Sequence, residues 1–297
     1  MTDITSTTTA VASMLQPNRA QPLAHTTYPH TNQASSNIFV RNTDLVTTRD
    51  QLTDSVLDQF HFTPPLEPGQ DRPVRAAVAI DCEMGTAISG DSELIRISAI
   101  DYYTGEVLVN NLVEADQELA HLNTRYSGVT WSEMNRALRQ GTCLTGKAGA
   151  RAALWRFVGP DTIIMGHGVS NDLRALRICH PCIVDSFLVE YKIVQAKKDI
   201  EKAEAIAAAK EEEELKARMI ELYGDSLEKD TEDAKVPVAP RKKMPKGTGD
   251  CALKTLMKKY LATDVQMQGN KGHHSMEDAI AARDLIYWMV CRPEREV

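Results

Sequence analysis

Apolar positions in the middle of the chain alternate over short runs, as they do in β-strands. The run at 76–80 (AAVAI) is short and apolar, which predicts a buried strand. Runs at 94–101 and 107–113 flank a turn at 102–105 and predict two more strands. Together the three runs predict an antiparallel meander at the start of a folded domain.

After residue 130, helical and strand patterns alternate. Apolar residues at helical spacing predict helices, and short apolar runs predict two further strands. The predicted helices are 131–138, 147–157, 171–177, 253–261 and 276–290, and the added strands are 162–165 and 182–184. Strands followed by alternating helices and strands are typical of an α/β fold with a mixed sheet, here of five strands flanked by helices.

The region before the first strand has a different composition. Residues 1–72 are dominated by Thr, Ser, Asn, Gln and Pro at their start, which predicts a disordered N-terminal region. Within it, apolar residues at helical spacing predict one short helix at 50–62. The folded domain is then expected to span 73–293.

A charged insertion interrupts this domain at about 196–246. Residues 192–223 are rich in Lys, Glu and Ala and lack Gly and Pro, which predicts a long helix. Between 196 and 236 there are 8 Lys/Arg and 13 Asp/Glu, so this segment contributes 8 − 13 = -5 to the net charge of -7. The helix at 196–223 is a solvated face or a surface for protein contacts, and both interpretations stay open. A proline-rich basic loop follows at 236–249.

The net charge limits the kinds of partner. An acidic chain has no general attraction to phosphates, so a nucleic-acid ligand requires a local basic patch or metal ions. No apolar run is long enough to span a bilayer, and no membrane partner is expected. The cluster Arg241-Lys242-Lys243, with Lys246, could bind RNA or serve as a weak nuclear signal, although short basic clusters are often neither. The expected location is the nucleus or nucleolus, with the cytoplasm as the alternative.

The first strand ends in two acids, Asp81 and Glu83. Residues two apart on a strand point to the same face, and two neighbouring carboxylates repel each other. A hard divalent cation such as Mg²⁺ or Mn²⁺ would stabilise both. An acidic strand end in solvent is the alternative, because such pairs are common on protein surfaces.

Further acids follow later strands and open later helices. Asp172 lies near the start of a helix after the strand at 162–165, and Asp278 lies in the first turn of the last helix. Ser275 is expected to cap that helix, with Asp278 at capping-box spacing. Asp185 follows the strand at 182–184. It would cap a helix or pair with a base, and we leave it out of the site.

Four motifs carry a resemblance to a known family. They are 79–85 (AIDCEMG), 124–130 (TRYSGVT), 166–172 (GHGVSND) and 273–279 (HHSMEDA). In this order they resemble the DEDDh branch of the DnaQ-like 3′-to-5′ exonucleases, within it the RNA exonucleases grouped with the interferon-stimulated exonuclease and the yeast ribosomal-RNA exonucleases. The resemblance covers about 74–291 without the insertion and implies a ribonuclease H-like fold.

The resemblance also implies site residues. Asp81, Glu83, Asp172 and Asp278 would hold two Mg²⁺ or Mn²⁺ ions, and His273 would be the general base. Two metals about 4 Å apart stabilise both the attacking and the leaving oxygen of a phosphodiester, and a histidine can accept the proton of the attacking water.

Two substrate contacts are expected from the same resemblance. Met84 would approach the terminal sugar, with core packing as its alternative role. Arg125 would contact a phosphate or a sugar, with a surface ion pair as its alternative.

The expected activity is metal-dependent 3′-to-5′ hydrolysis of single-stranded RNA, releasing nucleoside 5′-monophosphates in RNA processing or decay. An exonuclease on DNA or on short oligonucleotides has the same metal site, so the sequence does not separate them. The third interpretation is a catalytically silent RNA-binding protein with the same fold.

Overall fold

A computed structural model of the chain describes residues 59–67, 69, 71–223, 249–267 and 272–292. The chain divides into two units. The first contains the residues up to Val189 and those from Cys251 onward, and the second contains Glu190–Asp250. The functional residues that the sequence predicts all belong to the first unit.

The described strands of the first unit all lie before residue 186. In the described part of the chain they are β1 (His61–Phe62), β2 (Ala77–Ala87), β3 (Ser92–Asp101), β4 (Val107–Glu114), β5 (Leu119–His121), β6 (Leu144–Thr145), β7 (Ile163–Gly166), β8 (Ile178–Cys179) and β9 (Ile183–Asp185).

In the described ranges, helices begin after β5. Those with described residues are α1 (Thr124–Ser127), α2 (Trp131–Gln140), α3 (Gly146–Trp155), α4 (Val169–Leu176), α5 (Ser186–Tyr223), α6 (Leu253–Leu261) and α7 (Ser275–Cys291). Most bounds lie within a few residues of the predicted ones. Helix α5 starts six residues earlier than 192, directly after Asp185.

The central sheet has seven strands in the order β6-β4-β3-β2-β7-β9, with β5 paired to β2. β2, β3 and β4 are antiparallel neighbours, whereas β7 and β9 run parallel to β2. The mixed sheet of the predicted fold class is confirmed. The predicted count of five strands is too low, because β5 and β6 have only three and two residues and show no alternation.

Strand β2 is the centre of the sheet, and its two faces pack against different helices. Val78, Ile80 and Cys82 belong to the cluster that contains residues of α3 and α4. Ala77 and Ala79 face a second cluster, built with residues of α7. Small alanines on this second face let α7 approach closely. Because side chains alternate along a strand, the same face continues into Asp81 and Glu83.

The structure corrects two predictions for the N-terminal region: the end of the helix at 50–62 and the end of the disordered region at 72. His61–Phe62 form a strand that pairs in parallel with Ile178–Cys179, so the predicted helix at 50–62 does not extend to its expected end. Thr63 is buried and its Oγ1 lies 2.8 Å from Nδ1 of His180, so the segment after 58 belongs to the folded unit rather than to a disordered region ending at 72. Residues 1–58 lie outside the described part.

The second unit consists, as far as it is described, mainly of the α5 residues from Glu190 to Tyr223. Side chains of 197–222 are exposed, and two ion pairs at i,i+4 spacing, Lys210–Glu214 and Glu212–Lys216, support the predicted helix. The predicted basic loop at 236–249 lies outside the described residues, except for its last residue. None of the helices in the described ranges is long and apolar enough to cross a membrane.

Candidate metal and catalytic site

The acids of β2 lie close to the other predicted site carboxylates. Burial, followed by the charges of Asp278 and Asp172, raises the pKa of Glu83 to about 8 against the opposing effect of Arg96. The pKa of Asp81 is raised well above its ordinary range, first by burial and then by Asp172, Asp278 and Glu83. Four of the predicted site residues, Asp81, Glu83, Asp172 and Asp278, therefore lie close together with little exposure to solvent and repel one another.

Asp172 is tied to β2 by a hydrogen bond. The backbone N–H of Cys82, which lies between the two acids of the strand, donates to Oδ1 of Asp172 at 3.0 Å. The approach is close because β7 pairs with β2 and ends at Gly166, where a Cβ would lie only 2.9 Å from the carbonyl oxygen of Ile80. The glycine thus lets α4 begin beside the strand and carry Asp172 to the acid pair.

Asp278 is buried in the first turn of α7 and has two side-chain partners. Nε2 of Gln266 donates to Oδ1 at 3.0 Å and to Oδ2 at 3.1 Å. Nδ1 of His273 lies 3.3 Å from Oδ2. The pKa of His273 is raised, foremost by this hydrogen bond and against the effect of burial. The structure therefore brings the predicted base next to the last predicted metal ligand.

The two adjacent histidines have different partners, and the predicted cap is wrong by one residue. His274 is the N-cap: its Nδ1 accepts from the backbone N–H of Met276 at 3.3 Å. Ser275 is instead the first helical residue, and its hydroxyl is buried 2.7 Å from that of Ser98. The contact with β3 takes the serine hydroxyl, so the neighbouring imidazole caps the helix.

The motif at 124–130 holds the loop that carries His273. The backbone N–H of His273 donates to the carbonyl of Tyr126 at 2.6 Å. The preceding residue, Gly272, has φ +84°, and a Cβ there would overlap the backbone of Thr124 and Gly128. The TRYSGVT stretch therefore forms a turn, α1, against which the His273 loop packs without space for a side chain.

The two predicted substrate contacts, Met84 and Arg125, lie in different surroundings. Met84 is half-buried and packs against the β2–α3–α4 core, and its carbonyl accepts from Nδ2 of Asn123 at 3.2 Å. Arg125 is exposed on α1, next to the residue that holds His273.

Asp185 has the capping role predicted for it. Its Oδ1 accepts from the backbone N–H groups of Gly168 and Phe187 at 2.8 and 2.9 Å, so it links the starts of α4 and α5. Burial raises its pKa, and its charge raises that of Asp172. Gln266 is the site residue that the sequence did not indicate, since a lone glutamine in a loop has no characteristic spacing.

The donor set suits a hard divalent cation. Oε1 of Glu83 is buried and has no hydrogen-bond partner, and a cation would satisfy it and relieve the repulsion among the acids. No group of three or more His, Cys, Asp or Glu side chains in the described ranges forms an assembled metal centre. Carboxylate oxygens are nonetheless the ligands that Mg²⁺ and Mn²⁺ prefer.

Comparison with known proteins identifies relatives, although no family model matches the chain. RNA exonuclease 3 of Emericella nidulans is 28% identical over 248 residues, which cover 77% of this chain and 30% of that protein. Small RNA degrading nuclease 3 of Arabidopsis thaliana is 34% identical over 121 residues, 41% of this chain and 14% of that protein. The chain thus spans less than a third of either relative's length.

Solved structures give a weaker match. The Pan2 pseudoubiquitin hydrolase-RNA exonuclease module of Saccharomyces cerevisiae, determined in complex with AAGGAA RNA, has a TM-score of 0.45 and 17% identity. The match covers 83% of this chain and 34% of that chain.

Proposed function

We propose that this chain, a relative of the RNA exonucleases, is a metal-dependent 3′-to-5′ exoribonuclease that releases nucleoside 5′-monophosphates from single-stranded RNA. One observation carries the proposal: four carboxylates converge on the middle of β2, and Nδ1 of His273 lies 3.3 Å from one of them. Mutual repulsion among buried acids destabilises a protein. A cation-binding function explains why four of them are nonetheless clustered here.

Asp81, Glu83, Asp172 and Asp278 would hold two Mg²⁺ or Mn²⁺ ions. When bound, such ions stabilise the charge that develops on the attacking and leaving oxygens of the phosphodiester. The chain's own contribution is to fix the ligands. The strand ladder holds Asp81 and Glu83, and the Cys82 N–H holds Asp172.

His273 would accept the proton of the attacking water. Its Nδ1 faces a carboxylate oxygen of Asp278, so the N–H of the neutral ring belongs on Nδ1 and the lone pair that accepts a proton is on Nε2. Water then adds to phosphorus as the bond from phosphorus to the 3′-oxygen of the penultimate nucleotide breaks. The phosphate stays on the 5′-oxygen of the released nucleotide.

Met84 and Arg125 would contact the 3′-terminal nucleotide. Both lie on segments joined to the site: Met84 follows Glu83 directly, and Arg125 lies on α1 beside the carbonyl that accepts from His273. A guanidinium at this position suits a backbone phosphate of the substrate.

RNA is the proposed substrate because the curated relatives are called an RNA exonuclease and a small RNA degrading nuclease. DNA or very short oligonucleotides remain the competing substrates, because a carboxylate metal site serves either sugar. A silent RNA-binding protein is disfavoured, since binding alone needs neither four clustered acids nor the paired histidine.

A matched pair of RNA and DNA oligonucleotides labelled at the 5′ end tests the proposal. In Mn²⁺ we expect a ladder that shortens from the 3′ end, faster on single-stranded RNA than on DNA, and no cleavage in EDTA. A 3′-phosphate on the RNA should block degradation. Equal rates on both sugars would remove the RNA assignment, and cleavage that survives chelation would remove the mechanism.

A further inference from the structure

Gln266 makes a contact with the site that the proposed mechanism does not use. Its side-chain Nε2 donates to both oxygens of Asp278, at 3.0 and 3.1 Å. We infer that Gln266 is a positioning residue that fixes the rotation of the Asp278 carboxylate and thereby prepares it to bind a divalent cation. This inference rests on the proposed function.

The backbone of Gln266 supports a dedicated placement. Its φ is 57°, in the left-handed region that residues other than glycine rarely adopt. Such a conformation persists only where the surroundings fix it. The backbone N–H donates to Oε1 of Glu277 at 3.1 Å, and the preceding Val265 is buried in a cluster with Leu256 and Leu285. The hydrogen bond to Glu277 and the packing of Val265 therefore hold the backbone in the position from which the amide side chain reaches Asp278.

An amide is chemically suited to this role. A neutral donor orients a carboxylate and leaves its negative charge available to a cation, whereas a lysine or arginine would neutralise that charge and compete with the metal. A carboxylate has about four lone-pair sites, so the two bonds from Gln266 and the one from His273 leave about one site for coordination. Partners that orient a ligand in this way typically account for 10- to 100-fold in metal affinity or activity.

Two other roles for Gln266 make different predictions. As a structural residue it would fix only the loop, and its loss would lower thermal stability without changing the affinity of the folded site. As a competitor it would occupy oxygens that the metal needs, and its loss would tighten metal binding.

Two substitutions separate the side chain from the backbone. Gln266→Met keeps a side chain of similar length without the donor. Gln266→Gly also removes the donor but relieves the left-handed backbone, so it remains informative if the methionine variant does not fold. Met267→Ala is the matched control, because Met267 is the exposed neighbour in the same loop.

The readouts are calorimetric titration of the full chain with Mn²⁺ in the absence of RNA, and kcat and KM on a short RNA. We expect both Gln266 variants to weaken Mn²⁺ binding about 10-fold or more and to lower kcat similarly, with KM within about threefold. Met267→Ala should match the wild type in both.

Unchanged Mn²⁺ affinity in both variants would overturn the inference and leave the proposed function standing. Tighter Mn²⁺ binding would overturn it in favour of the competitor role. A wild-type chain that binds no Mn²⁺ would overturn the inference together with the metal-dependent function. The wild-type titration therefore separates the two failures.

Discussion

The two halves of the site are held in different ways. Asp81 and Glu83 lie on β2, which is paired with β3 on one side and β7 on the other and has fully buried core residues before the acids. Gln266 and His273 lie on the segment between α6 and α7, where individual hydrogen bonds and a glycine fix their positions. The strand half depends on the whole sheet, and the loop half depends on a few contacts.

This difference indicates how each half should respond to mutation. A substitution on the strand should remove a chemical group and leave the backbone where it is. A substitution in the loop segment should move a chemical group that is still present.

The largest effect is expected on the strand. Asp81→Asn or Glu83→Gln should each lower kcat about 10³-fold, the scale for losing one strong stabiliser of transition-state charge. Circular dichroism and thermal melting should report an intact fold, because the strand pairing does not use these carboxylates. A variant with near-wild-type turnover in Mg²⁺ would show that the residue is not a metal ligand.

On the loop side, His273→Ala should lower kcat about 10²-fold or more, the scale for a lost general base. His274→Ala is the adjacent control. It removes a helix cap, so it should cost about 1 kcal/mol of stability and leave kcat within a few-fold. The acidic limb of the pH–rate profile, where protonation of His273 removes its lone pair, should vanish only in the His273 variant. The reverse pattern would assign the base to His274.

Gly272→Ala should displace His273 without removing it. A Cβ at Gly272 would overlap the backbone of Thr124 and Gly128, and the left-handed φ adds strain. We expect kcat to fall about 10-fold, the lower end of the scale for disturbing a supporting contact. Gly141→Ala is the matched control, because Gly141 also has a positive φ but has open space around it. Equal kcat in the two variants would contradict the packing of the His273 loop on α1.

The smallest effect concerns stability in EDTA. The pKa of Glu83 is about 8 in the folded chain against 4.5 in the unfolded chain, so the folded state holds this proton longer and stability falls as pH rises toward 8. His273, with its raised pKa, contributes a loss of the same sign above pH 6.5. The pKa values of His167 and His180 are lowered to about 4, and these residues act oppositely only below pH 6.5.

The melting temperature of the metal-free chain should therefore fall between pH 6.5 and pH 8. Glu83→Gln should flatten the decline, and saturating Mn²⁺ should abolish it, since bound cations favour the ionised acids. A melting temperature that is constant or rises over this interval in EDTA would contradict the mutual repulsion of the acids.

The same contrast decides what the sequence could predict. The β2 acids follow an apolar run and share a face by alternation, so sequence pattern alone placed them together. Nothing in the pattern indicates Gln266, because its contact with Asp278 depends on the path of a loop. The predicted cap of α7 is wrong for a related reason. Serine is a favoured N-cap residue, but the hydroxyl of Ser275 is hydrogen-bonded to that of Ser98 on a strand distant in sequence.

The short strands show the limit set by length. β1, β5 and β6 have two or three residues each, too few to alternate, and their pairing partners are distant in sequence. The helices predicted at 131–138, 253–261 and 276–290, in contrast, match their bounds to within two residues, because several turns contribute to each pattern.

Metal-dependent hydrolysis at this site is tested most directly by the chemical identity of the nucleotides released in H₂¹⁸O. Attack by water at phosphorus, with departure of the 3′-oxygen, predicts nucleoside 5′-monophosphates that each carry one ¹⁸O in the phosphate, formed in Mn²⁺ and measured by mass spectrometry. Nucleoside 3′-phosphates or 2′,3′-cyclic phosphates would mean attack by the ribose 2′-hydroxyl, and would contradict metal-dependent hydrolysis at this site.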